Sequence, residues 1–215
     1  MPKKIKIGVL ASGGGTNLQA IIDNCKSGKI AAEVAVVISD VHCGALERAR
    51  RAGIPEHLLN RHDTARFPSR EAFDTAVLER LEQHHVDLVC LAGYMRILTH
   101  ELVDPFAGRM MNIHPALLPA FGGKGMWGHH VHEAVLEYGC RISGCTVHFV
   151  SLETDAGPVI LQRAVPVQED DTPDTLAARI LPHEHELYSQ AIQLFAEGRL
   201  KIEGRRARIL PPTGR

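Results

Sequence analysis

The chain has 215 residues, 45% of them hydrophobic and 23% charged, with a formal net charge of -1 when its histidines are neutral. That length and composition suit one globular domain with a full apolar core. The charge balance excludes a global field for nucleic acid or an anionic membrane, and no apolar run approaches the ~18 residues of a membrane span.

Two hydrophobic periods alternate through the first 95 residues. "IKIGVLAS" (5–12) reads as a buried strand that ends in "GGGTN". Residues 16–28 have helical spacing, with Leu18, Ile21, Ile22 and Cys25 on one face and Gly28 near the end. "AEVAVVISD" (32–40) is a strand, "GALERARRAG" (44–53) a helix closed by Gly53, and Glu56–Leu59 a short strand. Residues 69–85 open on Ser69 as a helix N-cap and carry Phe73, Val77, Leu78 and Leu81 at helical spacing. "DLVCLAG" (87–93) is the next buried strand.

Short strands then follow at 109–113, 144–151 and 158–167, with a helix at 129–139. A long helical pattern runs from about Thr172 to Gly198 with Pro173 in its first turn. Pro182 falls inside that pattern, so a kink or break is expected there. The tail predicts a hairpin around Glu203-Gly204. Near-continuous apolar strands alternating with helices predict a doubly wound α/β fold. It has a mostly parallel open sheet, helices on both faces and antiparallel additions toward the C-terminus.

The five cysteines lack CxxC spacing and read as reduced, mostly buried thiols of a cytoplasmic protein. The N-terminal "MPKKIKIGVLAS" carries too short an apolar stretch for a signal peptide and reads as a strand. His129, His130, His132, His183 and His185 show no HExxH or comparable spacing, so surface histidines are expected rather than a metal site.

Two constellations carry chemistry. In "LASGGGTNLQA", three glycines join a strand to a helix, where free N–H groups and the helix dipole favour a phosphate. No lysine follows, so this is not a Walker loop. Gly13 and Gly15 fit a dinucleotide fingerprint, but Leu18 stands at its third glycine; Asp40 could serve as the ribose-binding acid. A phosphate monoester fits better, and a tight turn with no ligand is the plain alternative. The second constellation is Asn112 and His114, which share one face of a strand that Pro115 ends, with Asp155 in a loop between two later strands. Singly, each is more often structural; together they suit a site at the carboxyl ends of an α/β sheet. His148, in "TVHFV", either packs on its strand or supports such a site.

"SGGGTNLQAII", "LAGYMRIL", "NIHPALLP", "TVHFV" and "DAGPVILQRAVPV" closely resemble the phosphoribosylglycinamide formyltransferases of purine biosynthesis. The resemblance runs in order from about residue 5 to residue 210. "NIHPALLP" with a later Asp is shared by other formyl-folate enzymes, whereas the glycine loop is more specific. The resemblance implies a single formyltransferase domain over 1–215: a phosphate-binding half (1–100), a catalytic and folate-binding half (101–198) and a tail (199–215). It implies formyl transfer from 10-formyltetrahydrofolate, a cosubstrate, to glycinamide ribonucleotide, with no metal, nucleic acid or membrane, by a monomer or homodimer.

In that reading Asn112 and a protonated His114 hold an oxyanion. Asp155 raises the pKa of His114 and relays a proton. Gly15, Thr16 and Asn17 hold the phosphate and Glu184 contacts the ribonucleotide. Met95, Arg96, Ile97, Leu98 and Asn112 take the folate, whose pterin edge meets backbone near Leu98 and in the 152–157 loop. "GGKGMWGHHVHEAV" is longer than the usual glycine–histidine connection of that family. The alternatives are a 10-formyltetrahydrofolate deformylase and a non-catalytic nucleotide-binding module.

Overall fold

In the computed structural model, residues 4–212 are described. Residues 1–3 of the expected phosphate-binding half and 213–215 of the expected tail lie outside them. The chain divides into a compact unit ending at Met111 and another beginning at Asn112.

The first unit contains β1 (Ile5–Leu10), α1 (Thr16–Lys26), β2 (Ala32–Ser39), α2 (Gly44–Arg51), β3 (Glu56–Leu58), α3 (Arg70–Gln83), β4 (Leu88–Leu91) and α4 (His100–Val103). Its strands lie in the order β3-β2-β1-β4 and pair in parallel. Parallel pairing brings every strand's carboxyl end to one edge, where the glycine loop after β1 also emerges. In α1 the buried residues are Leu18, Ile21, Ile22 and Cys25, the face its spacing predicted. Each large aliphatic side chain buried this way contributes about 1.5–3 kcal/mol. Ser69 caps α3 as expected, its hydroxyl accepting the Ala72 N–H at 3.1 Å. On α3, however, Asp74 is buried and Leu78 only half-buried.

β5 (Met110–His114) leads into the second unit, which adds α5 (His129–Glu137), β6 (Ile142–Phe149), β7 (Val159–Pro166), α6 (Pro173–Ala196), β8 (Leu200–Glu203) and β9 (Arg206–Ile209). Its strand order is β5-β6-β7-β9-β8. β6 and β7 form an antiparallel pair, as do β8 and β9, the hairpin expected around Gly204; β7 and β9 run parallel. The α/β class, mostly parallel with antiparallel additions toward the C-terminus, is therefore what the chain forms.

The break expected at Pro182 does not occur: α6 is one helix through it. Pro182 removes one i→i−4 hydrogen bond. The buried residues Leu176 and Ile180 before it, and Leu187, Tyr188, Ala191 and Ile192 after it, anchor both halves. A capping box between Thr172 and Thr175 starts the helix, and the Arg179 guanidinium holds Asp171 just ahead of it.

Candidate active site

β5 ends on two polar side chains. Asn112 is half-buried, and His114 is 3% exposed. The turn that follows is held by side chains from β6 and β7. The Thr146 hydroxyl donates to the Ala116 carbonyl at 2.7 Å and accepts the Leu118 N–H at 3.1 Å. The Gln162 amide donates to the Leu118 carbonyl at 2.9 Å and to the Thr146 hydroxyl at 3.0 Å. These bonds replace a strand ladder and fix the path of residues 116–118, which leads to the Phe121 carbonyl.

That carbonyl lies 2.7 Å from His114 Nε2. A carbonyl only accepts, so Nε2 carries the hydrogen and the neutral ring has its lone pair on Nδ1. His114 Nδ1 lies 3.6 Å from Asp155 Oδ2. On β6, His148 Nδ1 donates to the Phe149 carbonyl at 2.9 Å, which leaves Nε2 as acceptor. His148 Nε2 takes a hydrogen bond from the Asn112 amide nitrogen at 3.2 Å and lies 3.6 Å from Asp155 Oδ1. The imidazole thereby fixes which way the Asn112 amide points and leaves its second N–H available. His148 thus supports the site, the second of the two roles read for it.

Asp155 is flanked by both rings and accepts the Gly123 N–H at 2.9 Å. Its backbone has φ +55°, a left-handed conformation uncommon for a non-glycine residue. Gly157 allows the turn to close, since a Cβ there would lie 1.8 Å from the Phe149 carbonyl oxygen. Burial raises the Asp155 carboxyl, but the neighbouring His148 and His114 rings and the Gly123 N–H outweigh it and hold it below its ordinary value. The expected rise at His114 is reversed. Burial lowers its pKa by more than Asp155 and the Phe121 carbonyl raise it, and His148 adds to the lowering. The resting pair is a carboxylate beside a neutral imidazole whose open nitrogen faces it.

In the first unit, Gly15 is the N-cap of α1 at φ +74°, and a Cβ on it would lie 2.7 Å from Ala45 Cα. No side chain caps α1 and no acidic residue stands in its first turn, so the dipole there is unopposed by protein charge. The Gly14 carbonyl is held by Arg48 Nε at 2.8 Å, and the Gly13 carbonyl by the Ala45 N–H at 3.1 Å. Asp40 is fully buried, its two carboxylate oxygens taken by the Ser12 hydroxyl at 2.6 Å and Arg61 Nη1 at 3.1 Å. It braces the loop, which removes the ribose-binding role considered for it.

Of the residues assigned to the folate, Met95 and Ile97 are 42% and 46% exposed, Leu98 is buried, and the Arg96 guanidinium stacks 3.8 Å from the Phe73 ring centroid. Glu184 is half-buried on α6, and its charge adds to the burial that pushes the Cys145 thiol up to about 12. His129 and His130 are exposed, but His132 is buried in α5. Burial, His129 and His114 lower its pKa to about 4, so it is not the surface histidine its polarity suggested. Among the described residues no group of three or more His, Cys, Asp or Glu is arranged to hold a metal ion.

The structure therefore gathers Asn112, His114 and Asp155, and adds His148. The sequence also gave no sign of the Phe121 carbonyl and the Gly123 N–H, because backbone partners carry no residue signature.

A family model described as formyl transferase matches residues 5–192, across both units. The phosphoribosylglycinamide formyltransferase of Escherichia coli strain K12 is 45% identical over 215 residues, covering 98% of each chain. The trifunctional purine biosynthetic protein adenosine-3 of Bos taurus is 46% identical over 97% of this chain, which spans 20% of that protein's length. The solved structure of glycinamide ribonucleotide transformylase 1 from Symbiobacterium toebii superposes with a TM-score of 0.92 at 54% identity, covering 98% of this chain and 96% of that one. The chain belongs to the formyl transferase family.

Proposed function

We propose that this chain transfers the formyl group of 10-formyltetrahydrofolate to the amine of glycinamide ribonucleotide, a step of purine biosynthesis. The observation that carries the reading is the Asp155 carboxylate within 3.6 Å of two imidazoles, one of which holds the Asn112 amide. Family membership and the names of full-length relatives support the donor and acceptor.

The amine nitrogen attacks the formyl carbon, and the carbonyl oxygen becomes an oxyanion. The second N–H of Asn112 donates to it. His114 donates as well once its Nε2–H exchanges the Phe121 carbonyl for the oxyanion, so residues 119–123 must yield at that point. The developing negative charge and Asp155 together favour the imidazolium that burial disfavours at rest. The attacking nitrogen loses a proton as the carbon–N10 bond breaks and N10 gains one. Asp155 and His114 Nδ1 are the acceptors that carry it, through water. Gly15, Thr16 and Asn17 hold the phosphate, Glu184 contacts the ribonucleotide, and residues 95–98 with Asn112 hold the folate. Holding both substrates in register contributes as much as proton transfer. Five free cysteines suit a reducing cytoplasm.

Ala variants at Asn112, His114 and Asp155 test the reading. Each should lose at least about 10²-fold in kcat, with little change in substrate affinity for His114→Ala and Asp155→Ala and a weaker folate affinity for Asn112→Ala. Retained turnover in all three would refute it.

A further inference from the structure

Three residues on one face of α3, at positions i, i+3 and i+4, grip the chain from Arg96 to Thr99. Arg70 Nη2 donates to the Ile97 carbonyl at 3.2 Å. The Phe73 ring carries the Arg96 guanidinium. Asp74 Oδ2 accepts both the Thr99 N–H, at 2.6 Å, and the Thr99 hydroxyl, at 2.9 Å. Helical spacing puts 70, 73 and 74 on one side of the helix, so a single turn contacts almost every residue of the segment.

Asp74 stands out among the three. It is fully buried, and its Oδ1 has no hydrogen-bond partner among the described residues. Burying a carboxylate with an idle oxygen is costly. A serine or asparagine cap would fix Thr99 at lower cost, so holding the end of this segment is not the whole task. Burial raises the Asp74 carboxyl, against the two Thr99 donors and the charges of Arg96 and Arg70. The charges of Arg96 and Arg70 offset only part of that cost, and Arg96 Nε is itself buried without a partner among the described residues.

We propose that Asp74 is a positioning residue for the formyl donor: through Thr99 and the Arg70–Phe73 face of α3 it sets the shape of residues 96–98. This rests on the reading of 95–98 as the folate-binding segment. Asp74 itself touches no reacting atom. A group that shapes only the donor's seat affects donor affinity and leaves the chemical step and the ribonucleotide alone.

The test uses the full chain and four proteins: wild type, Asp74→Ala, Asp74→Asn and Thr99→Val. Steady-state kinetics vary each substrate in turn, and calorimetry gives the Kd for tetrahydrofolate. Asp74→Ala should raise the donor KM and the tetrahydrofolate Kd by about ten- to a hundredfold, the loss expected for two hydrogen bonds to a charged acceptor. The kcat at saturating donor and the ribonucleotide KM should stay within about threefold of wild type. Asp74→Asn keeps the Thr99 acceptor without the charge and should recover only part of the affinity. Thr99→Val, which removes only the hydroxyl donor, should give a smaller rise of the same kind. If Asp74→Ala does not fold, Thr99→Val decides. An unmoved donor KM and Kd, or a ribonucleotide KM that rises equally, overturns the proposal. A wild type that binds tetrahydrofolate but transfers no formyl group overturns the functional reading, while the variants' Kd still decides the role of Asp74.

Discussion

Replacing Asp155 by Asn keeps the shape of the side chain and removes its charge. In the wild type the carboxylate lies 3.6 Å from His114 Nδ1, with the two side chains 10% and 4% exposed. At an effective dielectric of about 20, a full charge on the imidazole at that distance interacts with the carboxylate by about 5 kcal/mol. The neutral ring of the resting enzyme gains little of this, so the interaction falls mostly on the charged state that forms during reaction. If most of it serves the transition state, its loss costs about 10³-fold in kcat, within the range of about 10²–10⁴ for acid–base groups. The assay is tetrahydrofolate formation at saturating substrates, paired with a nitrogen-15 titration of the His114 ring. The variant should show the large fall in kcat, a donor KM close to wild type, and a His114 that protonates at lower pH still. A kcat within about threefold of wild type, or an unmoved His114 titration, would refute the electrostatic argument.

The glycine loop gives a contrast within three residues. A Cβ at Gly13 or Gly14 meets nothing within 4 Å, so Gly13→Ala and Gly14→Ala should unfold in urea like wild type, yet raise the ribonucleotide KM if a phosphate fills that space. Gly15→Ala meets the α2 backbone at φ +74° and should lose about 1–3 kcal/mol of stability; a ribonucleotide KM unmoved by all three would remove the phosphate role. His132 supplies a stability prediction. Its pKa falls from 6.5 to about 4 on folding, so the unfolded chain binds the extra proton first. The stabilisation is complete above pH 6.5 and is lost as pH falls toward about 4, for a total of about 3 kcal/mol. His132→Leu should therefore lose less stability than wild type between neutral pH and the acid end of that window, measured by urea unfolding; equal losses would contradict the assignment.

Local signals in the sequence were strong where one period governed a segment. The apolar stripe of α1 and the Ser69 cap of α3 follow from spacing and side-chain chemistry alone. Tertiary context decided the rest. Propensity argued for a kink or break at Pro182, but buried side chains on both sides of it keep α6 one continuous helix. The four-residue α4 is too short to display a period. Asp74 lies on the apolar face of α3, where a carboxylate reads as surface until its partner Thr99 is seen 25 residues away. The site shows the same division. Alternation along a strand put Asn112 and His114 on one face, but the direction of the His114 shift depended on burial, which one sequence does not display. The carboxylate was visible and its effect had the expected sign; the surrounding apolar matter was not visible, and it dominates.

The central claim is that a formyl group passes from folate to the ribonucleotide amine. The most direct measurement follows tetrahydrofolate release from 10-formyltetrahydrofolate by absorbance, with and without glycinamide ribonucleotide. Release that requires the ribonucleotide, with formylated ribonucleotide formed in equal amount, is the predicted result. Equal release without it would make water the acceptor, and no release from a folded sample would contradict the account altogether.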